Sequence, residues 1–177
     1  MLSRTSALNS LSVLVLTLVF IAPVFSQEQE KDGAGIIVSG KAGSKDVGLP
    51  LYPGSKPAQD DAHDSQSARL GLWGGGSGFR MAVLKMESAD SVNKIAGFYK
   101  KALAHYGKVL DCTNPPSPAD QKDSHALTCG DDHPDKGGLL FKSGTKEKQH
   151  IVSIQPNGKG SLYQLVALNA WDSDPKH

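Results

Sequence analysis

One stretch of the sequence, residues 88–107, sets the strongest constraint on the fold, because its apolar residues repeat with the period of an α-helix. At 100° per residue, a single arc of about 120° holds most of them: Val92, Ile95, Ala96, Tyr99, Ala102, Leu103 and Tyr106. Asp90 or Ser91 can cap the start of this helix, and Gly107 is placed to end it in a left-handed conformation. A helix of about 16 residues is marginal alone in water. The pattern therefore predicts an amphipathic helix that packs on a larger surface.

Short apolar runs separated by glycine and proline lie on both sides of this helix and predict strands. The predicted strands are residues 68–73 and 79–87 before the helix, and 108–112, 126–129, 139–142, 149–155 and 161–168 after it. The glycine-rich residues 74–78 predict a hairpin turn, and Pro156-Asn157-Gly158 marks a second hairpin whose register the sequence leaves open. The predicted fold class is α+β: an antiparallel β-sheet with one main amphipathic helix packed on one face, a two-layer sandwich.

The first 26 residues have the pattern of a secretory signal peptide. Arg4 gives a positive start, an apolar run extends to Phe25, and Val24 and Ser26 supply the small residues that favour cleavage after Ser26. An uncleaved membrane anchor is the alternative, but Pro23 interrupts the run and the run is shorter than a membrane span requires. The sequence therefore predicts an exported protein, periplasmic or secreted, with no transmembrane anchor after cleavage.

The rest of the chain predicts one domain between two less ordered segments. Residues 27–47 are rich in glycine and lysine and predict a flexible N-terminal segment with one edge strand at Ile36-Ile37-Val38. Residues 48–170 are predicted to form a single α+β domain, and residues 171–177 a disordered tail. Loss of Arg4 leaves 18 basic and 18 acidic residues. Nucleic acid is therefore not expected as a partner, because its binding requires a concentrated positive field.

The chain has two cysteines, Cys112 and Cys129, with sixteen residues between them. In an exported protein, such a pair predicts one disulfide bond. Redox chemistry is the alternative, but redox-active pairs favour a C-x-x-C spacing. We therefore expect a structural disulfide.

Two short motifs resemble those of a known group of proteins. They are Leu49-Pro50-Leu51-Tyr52-Pro53-Gly54 and the helix pattern Asp90-Ser91-x-x-x-Ile95-x-x-Phe98-Tyr99-x-x-x-Leu103. Over roughly residues 48–168, the chain is similar to small exported bacterial proteins in which a "YPG" turn precedes a strand and a "DS…FY…L" helix. The resemblance implies export and a compact α+β domain. It carries over no catalytic residue, because that group has no assigned activity.

The outer face of the predicted helix carries candidate partner-binding residues. Lys94, Phe98, Lys101 and His105 are spaced 4, 3 and 4 apart and form one stripe. Such a stripe can bind an anionic partner, such as a lipid head group or a cell-wall polymer, with Phe98 as an apolar anchor. Peripheral membrane contact therefore stays open. The simpler interpretation is a solvated face with Phe98 at the edge of the core.

Two acidic loops contain histidine: Asp60-Asp61-x-His63-Asp64 and Asp131-Asp132-His133-x-Asp135. Carboxylates and imidazole bind zinc and similar ions, so Asp131, His133 and Asp135 form an alternative metal-ligand set. Neither loop has the spacing of a known metal motif, and Lys136 stands where a calcium loop requires glycine. We expect solvated loops, with no metal and no cofactor.

The sequence contains no catalytic motif, and one aromatic residue is a candidate for ligand contact. Trp73, next to five small residues, can floor a shallow ligand cleft, although such a tryptophan more often closes the end of a core. Our first hypothesis is a non-enzymatic binding or interaction module with an unknown envelope partner or ligand. The alternative is a hydrolase or metal-dependent enzyme whose site is built from the Asp/His loops.

Overall fold

The computed structural model describes residues 33–58, 66–114 and 126–172. Within these ranges the strands are β1 (Gly35–Ser39), β2 (Lys56–Pro57), β3 (Ser67–Gly74), β4 (Ser77–Ser88), β5 (Leu110–Asp111), β6 (Leu139–Gly144), β7 (Lys148–Asn157) and β8 (Gly160–Trp171). The helices are α1 (Ser44–Val47) and α2 (Val92–Leu103), and a 3₁₀ turn (Ala104–Tyr106) follows α2. The predicted signal peptide, the first acidic loop and residues 173–177 of the predicted tail lie outside the described residues.

The described strands form one sheet in the order β1-β3-β4-β8-β7-β6-β5, and every pairing is antiparallel. The short β2 pairs with β4 at Met86 and Glu87, beyond the end of β3. This sheet and its one long helix confirm the predicted α+β class. The sequence did not predict β2, and the strand predicted at residues 108–112 shrinks to β5.

Both predicted hairpins are present, and two-residue turns fix their registers. Gly75 and Gly76 join β3 to β4 with φ angles of 58° and 83°. Positive φ at both central positions gives a turn whose twist matches that of the strands. In the second hairpin Asn157 pairs with Gly160, so the turn consists of Gly158 and Lys159. The Asn157–Gly160 pairing decides the register that the sequence left open.

The predicted helix is confirmed, with corrections at both ends. Ser91 is the N-cap residue, but its side chain makes no capping hydrogen bond. Gly107 has φ 126° and ψ −159°, so its φ is positive but it does not take the predicted left-handed helical conformation. The last turn is 3₁₀, which turns 120° per residue instead of 100°. Tyr106, in this turn, is 39% exposed, although its ring stacks on His150 of β7.

The core lies between α2 and the middle strands of the sheet. Ile95, Tyr99 and Leu103 of α2 are fully buried and share one apolar cluster with strand residues. These strand residues are Ala82, Leu84 and Met86 of β4, Phe141 of β6, Val152 and Ile154 of β7, and Tyr163 and Leu165 of β8. The predicted apolar stripe of the helix therefore faces the sheet, and the sheet face that it contacts is called the inner face below.

The "YPG" turn and the "DS…FY…L" helix contact each other directly. The Tyr52 N–H donates to the Tyr99 hydroxyl (3.2 Å), and the Tyr52 hydroxyl donates to the Asp90 carboxylate (2.7 Å). Phe98 packs edge-on against Tyr52, with ring centroids 5.2 Å apart. Lys94 and Tyr52 both bond the Asp90 carboxylate and lower its pKa. The two motifs therefore form one structural clamp between the turn and the helix.

The predicted disulfide joins Cys112 and Cys129, whose Cα atoms are 5.4 Å apart. The strand predicted at residues 126–129 is wrong, because this segment has no strand pairing. The ammonium group of the buried Lys142 accounts for this difference. It donates to the carbonyl oxygens of Cys129 (3.1 Å) and Thr128 (3.4 Å) and forms an ion pair with Asp132. The segment's carbonyl groups are thus bonded to a side chain instead of to a neighbouring strand.

Two observations bear on cellular location. A structural disulfide is typical of proteins that fold outside the reducing cytoplasm. Among the helices of the described ranges, none is long and apolar enough to cross a membrane.

The segment predicted to be flexible, residues 27–47, contains both β1 and α1, and β1 is the edge strand expected near Ile36-Ile37-Val38. Its flexibility stays a prediction.

Candidate functional site

A row of alternating glycine and tryptophan crosses four neighbouring strands. Gly35 pairs with Trp73, Trp73 with Gly78, and Gly78 with Trp171. Directly paired residues share one sheet face, and Gly78 lies four residues before the core residue Ala82 on β4. This tryptophan row therefore lies on the inner face, at the end of the sheet near the β3–β4 hairpin.

The two glycines allow the indole rings to lie on the sheet. A Cβ atom added to Gly35 would overlap the Trp73 indole, and one added to Gly78 would overlap the Trp171 indole. Each ring thus covers the backbone of a neighbouring strand, and both tryptophans are half-buried. Trp73 and Trp171 stand two strands apart, which is about 9.5 Å. The row provides two separate aromatic surfaces along one line.

A second row, two residues along each strand, adds charge. It consists of Ile37, Gly71, Arg80, Asn169 and Lys148, which pair in that order across the sheet. The Arg80 guanidinium lies 5.2 Å from the centre of the Trp171 ring, within the range of a cation–π interaction. Within the described ranges, Asn169 Oδ1 has no hydrogen-bond partner. We call these residues the charged row.

A groove opens over these two rows. One cavity of about 480 Å³ has a floor of small residues, Gly71, Ala82 and Ala167, with Arg80 and Asn169 at one end. A second cavity of about 240 Å³ includes Trp73, Trp171 and Arg80. Ligand sites are typically concave, mostly apolar and 300–1,000 Å³ in volume, with a few polar groups. The first cavity, called the main cavity below, therefore has the size and lining of a ligand site, and the second extends it towards the tryptophan row.

The far end of the groove is closed by an ion pair. Asp46 of α1 accepts from Arg69 of β3 at 3.0 Å and from the Gly43 N–H at 2.8 Å. The Gly43 N–H and then the Arg69 guanidinium hold the pKa of Asp46 below its usual value. At neutral pH this carboxylate is charged, and it engages the Arg69 guanidinium.

The stripe predicted from the sequence lies on α2 and, at His105, on the 3₁₀ turn that follows, and none of its four residues lines the groove. Lys94 pairs with Asp90 at 2.8 Å, and Phe98 is half-buried against Tyr52 and Tyr99. Phe98 therefore belongs to the aromatic clamp, while Lys101 and His105 are exposed. The role of the stripe in binding a partner stays a prediction.

The alternative metal ligands do not converge. In the part of the chain that the structure describes, no three His, Cys, Asp or Glu side chains form a metal-binding group. His133 Nδ1 bonds to the backbone oxygen of Asp131 at 2.8 Å, and Asp135 accepts from Gln155 at 2.7 Å. The Asp60–Asp64 loop lies outside the described residues.

His150 lies on the inner face but inside the packed region. Its ring stacks on Tyr106 with centroids 3.6 Å apart, and it pairs across the strands with Ser143 and Ala167. No described group bonds to His150 Nδ1, and burial lowers the pKa of this imidazole. The site is therefore built for neutral histidine.

We expect the free energy of unfolding to fall as the pH drops from 7.5 to 5. Below the ordinary histidine pKa of about 6.5, the unfolded chain binds a proton that the half-buried His150 resists, so acid favours unfolding. Urea unfolding at several pH values measures this slope. His150→Gln should flatten it, while His133→Gln, at an exposed site, should not. An unchanged slope in His150→Gln would refute the assignment.

Comparison with protein-family models, with curated proteins and with solved structures returned no match to this chain. The resemblance to small exported bacterial proteins therefore stays a prediction. Sequence reasoning named Trp73 as a possible cleft floor but missed Trp171, Arg80 and Asn169. The available signal was the two-residue spacing of Asn169 and Trp171, which places them on one face of a strand.

Proposed function

We propose that the protein is an exported, non-enzymatic binding module that holds saccharide chains of the cell envelope on its inner sheet face. The tryptophan row is the observation that carries this proposal. We further propose that α2 and the sheet form a two-layer sandwich, in which α2 covers only part of the inner face. The uncovered part, at the hairpin end, holds the ligand.

Flat indole rings suit sugar rings. The faces of a pyranose carry C–H groups that pack on an aromatic surface, while its hydroxyl groups point outward to polar partners. Trp73 and Trp171 stand about 9.5 Å apart, on the order of the span of a disaccharide. An open groove also lets a polymer continue past the site. These features support a chain of sugars over a small enclosed ligand.

The carboxylates of the groove support binding rather than hydrolysis. Glycoside hydrolysis commonly requires two carboxylates that flank the scissile bond. Among the described residues that form the main cavity, Asp46 is the one carboxylate, and Arg69 already bonds it. The shortage of free carboxylates in the main cavity thus favours binding of a saccharide without its cleavage.

The test is retention on insoluble polymers: peptidoglycan sacculi, chitin and cellulose. We expect the wild type to sediment with at least one of them, and Trp171→Ala to weaken binding about fivefold or more, since a stacked ring contributes roughly 1–3 kcal/mol by analogy with base stacking. Gly78→Ala should weaken binding too, because its new Cβ displaces the Trp171 indole.

Phe79→Ala is the matched control. Phe79 is the neighbour of Gly78 on β4 and lies on the opposite face of the sheet, so this variant should sediment like the wild type. Failure of the wild type to bind any of the three polymers or an acidic polysaccharide, or equal binding by Trp171→Ala, would contradict the proposal.

A further inference from the structure

We infer that the bound saccharide is acidic, with carboxylate groups of uronate residues held by the charged row. This inference rests on the proposed function. Arg80 and Lys148 flank Asn169 on its two sides, because β4 and β7 are the two neighbours of β8. The two cationic residues are therefore about two strand spacings apart, near 9.5 Å, with an amide between them.

Both cations reach solvent, and Arg80 does so while its guanidinium lies over the Trp171 ring. Arg80 and Lys148 are exposed, and neither forms an ion pair with a carboxylate in residues 33–58, 66–114 and 126–172. On the same sheet face, Arg69 differs from these two residues, because it forms an ion pair with Asp46 at 3.0 Å. Two unpaired cations beside an apolar groove favour an anionic ligand group.

The distance between the two rows fits one sugar unit with its acid group. Trp171 and Asn169 are two residues apart on β8, which is about 6.8 Å. A pyranose stacked on the Trp171 ring then places a ring carboxylate beside Arg80 and Asn169. The planar guanidinium of Arg80 can donate two parallel N–H bonds to the two carboxylate oxygens.

Charge along the groove determines where an acid group binds. At the far end Asp46 and Arg69 neutralise each other, while Arg80 and Lys148 attract an acid group at the charged row. The bound carboxylate therefore belongs at the charged row. Nucleic acid is disfavoured as the anion, because its affinity depends on many phosphate contacts and, among the described residues, the charged row contributes only Arg80 and Lys148 as cations.

The test titrates the protein with polygalacturonate and with its fully methyl-esterified form, in which each carboxylate is replaced by an uncharged methyl ester on the same sugar backbone. The chain has two tryptophans, and both stand in the tryptophan row, so tryptophan emission reports on this site. We expect the acidic polymer to bind at least about tenfold more tightly than the ester. Arg80→Gln and Lys148→Gln should each reduce that preference several-fold.

Lys159→Gln is the control for general charge, since Lys159 is an exposed lysine in the turn at the other end of β8. It should keep the full preference. Equal binding of acid and ester would overturn the inference and leave the proposed function standing. No emission change with either polymer would also overturn it, and polymer sedimentation then judges the proposed function separately. If Lys159→Gln and Arg80→Gln reduced the preference for the acidic polymer equally, the attraction would be unspecific and the uronate assignment refuted. Binding of oligo(dT) as tight as that of polygalacturonate would refute it in the same way.

Discussion

Replacing Tyr99 by alanine is expected to lower the free energy of unfolding by about 3–5 kcal/mol, the usual cost of removing a large buried aromatic side chain. Tyr99 is fully buried at the centre of the α2–sheet core, beside the rings of Phe98 and Tyr163. Its loss leaves a cavity where the helix, the "YPG" turn and β8 meet. Urea unfolding followed by circular dichroism measures the change.

Tyr99→Phe separates packing from hydrogen bonding. The phenylalanine ring fills the same space but leaves the buried Tyr52 N–H without its acceptor, which costs about 1–3 kcal/mol. Burial raises the pKa of Tyr99 far above its usual value, so its hydroxyl stays protonated across the physiological range. A loss below about 1 kcal/mol in Tyr99→Ala would contradict the central position of this residue.

Removing the disulfide with Cys112→Ser/Cys129→Ser is expected to cost about 3 kcal/mol. The bond spans a sequence separation of 17, and the chain-entropy estimate for a loop of this length is near that value. Both cysteines are buried beside Leu140, so a serine hydroxyl at each position adds a polar group to an apolar cluster. Comparison of unfolding midpoints in urea tests this expectation.

Cys112→Ala/Cys129→Ala is the matched variant, because it removes the bond without adding polar groups. Reductant should destabilise the wild type and leave both double variants unchanged. The Lys142 ammonium still holds the Thr128 and Cys129 carbonyls in these variants, so we expect the fold to survive. A wild type as stable with reductant as without it would show that the bond contributes little.

The stabilising features and the proposed site occupy different parts of the sheet. The clamp around Tyr52 and Tyr99 is next to α2, and the disulfide is next to β6. The tryptophan row lies at the end of the sheet near the β3–β4 hairpin. Substitutions such as Trp171→Ala are therefore expected to change ligand binding without unfolding the protein. This separation allows binding and stability to be measured independently.

The sequence predicted those features that depend on neighbouring residues. The apolar period of residues 92–103 predicted the α2 helix, and the glycines at 75 and 76 predicted a turn that needs positive φ angles. The cysteine pair predicted the disulfide. The strand prediction failed at residues 126–129. The apolar pattern of a short segment does not reveal that a buried lysine elsewhere in the chain bonds the carbonyl groups of that segment.

By itself, then, the sequence determined the fold class, the main helix, the tight turns and the cysteine pairing, since each follows from local conformational preference or from a single possible pair. Tertiary structure alone decided that Trp73 and Trp171, distant in the chain, stand in one row with glycines beneath their rings. The physical reason is strand register. Side chains alternate between the two sheet faces, so a shift of one residue would move Trp171 and Asn169 to the opposite face, and the sequence does not specify that register residue by residue.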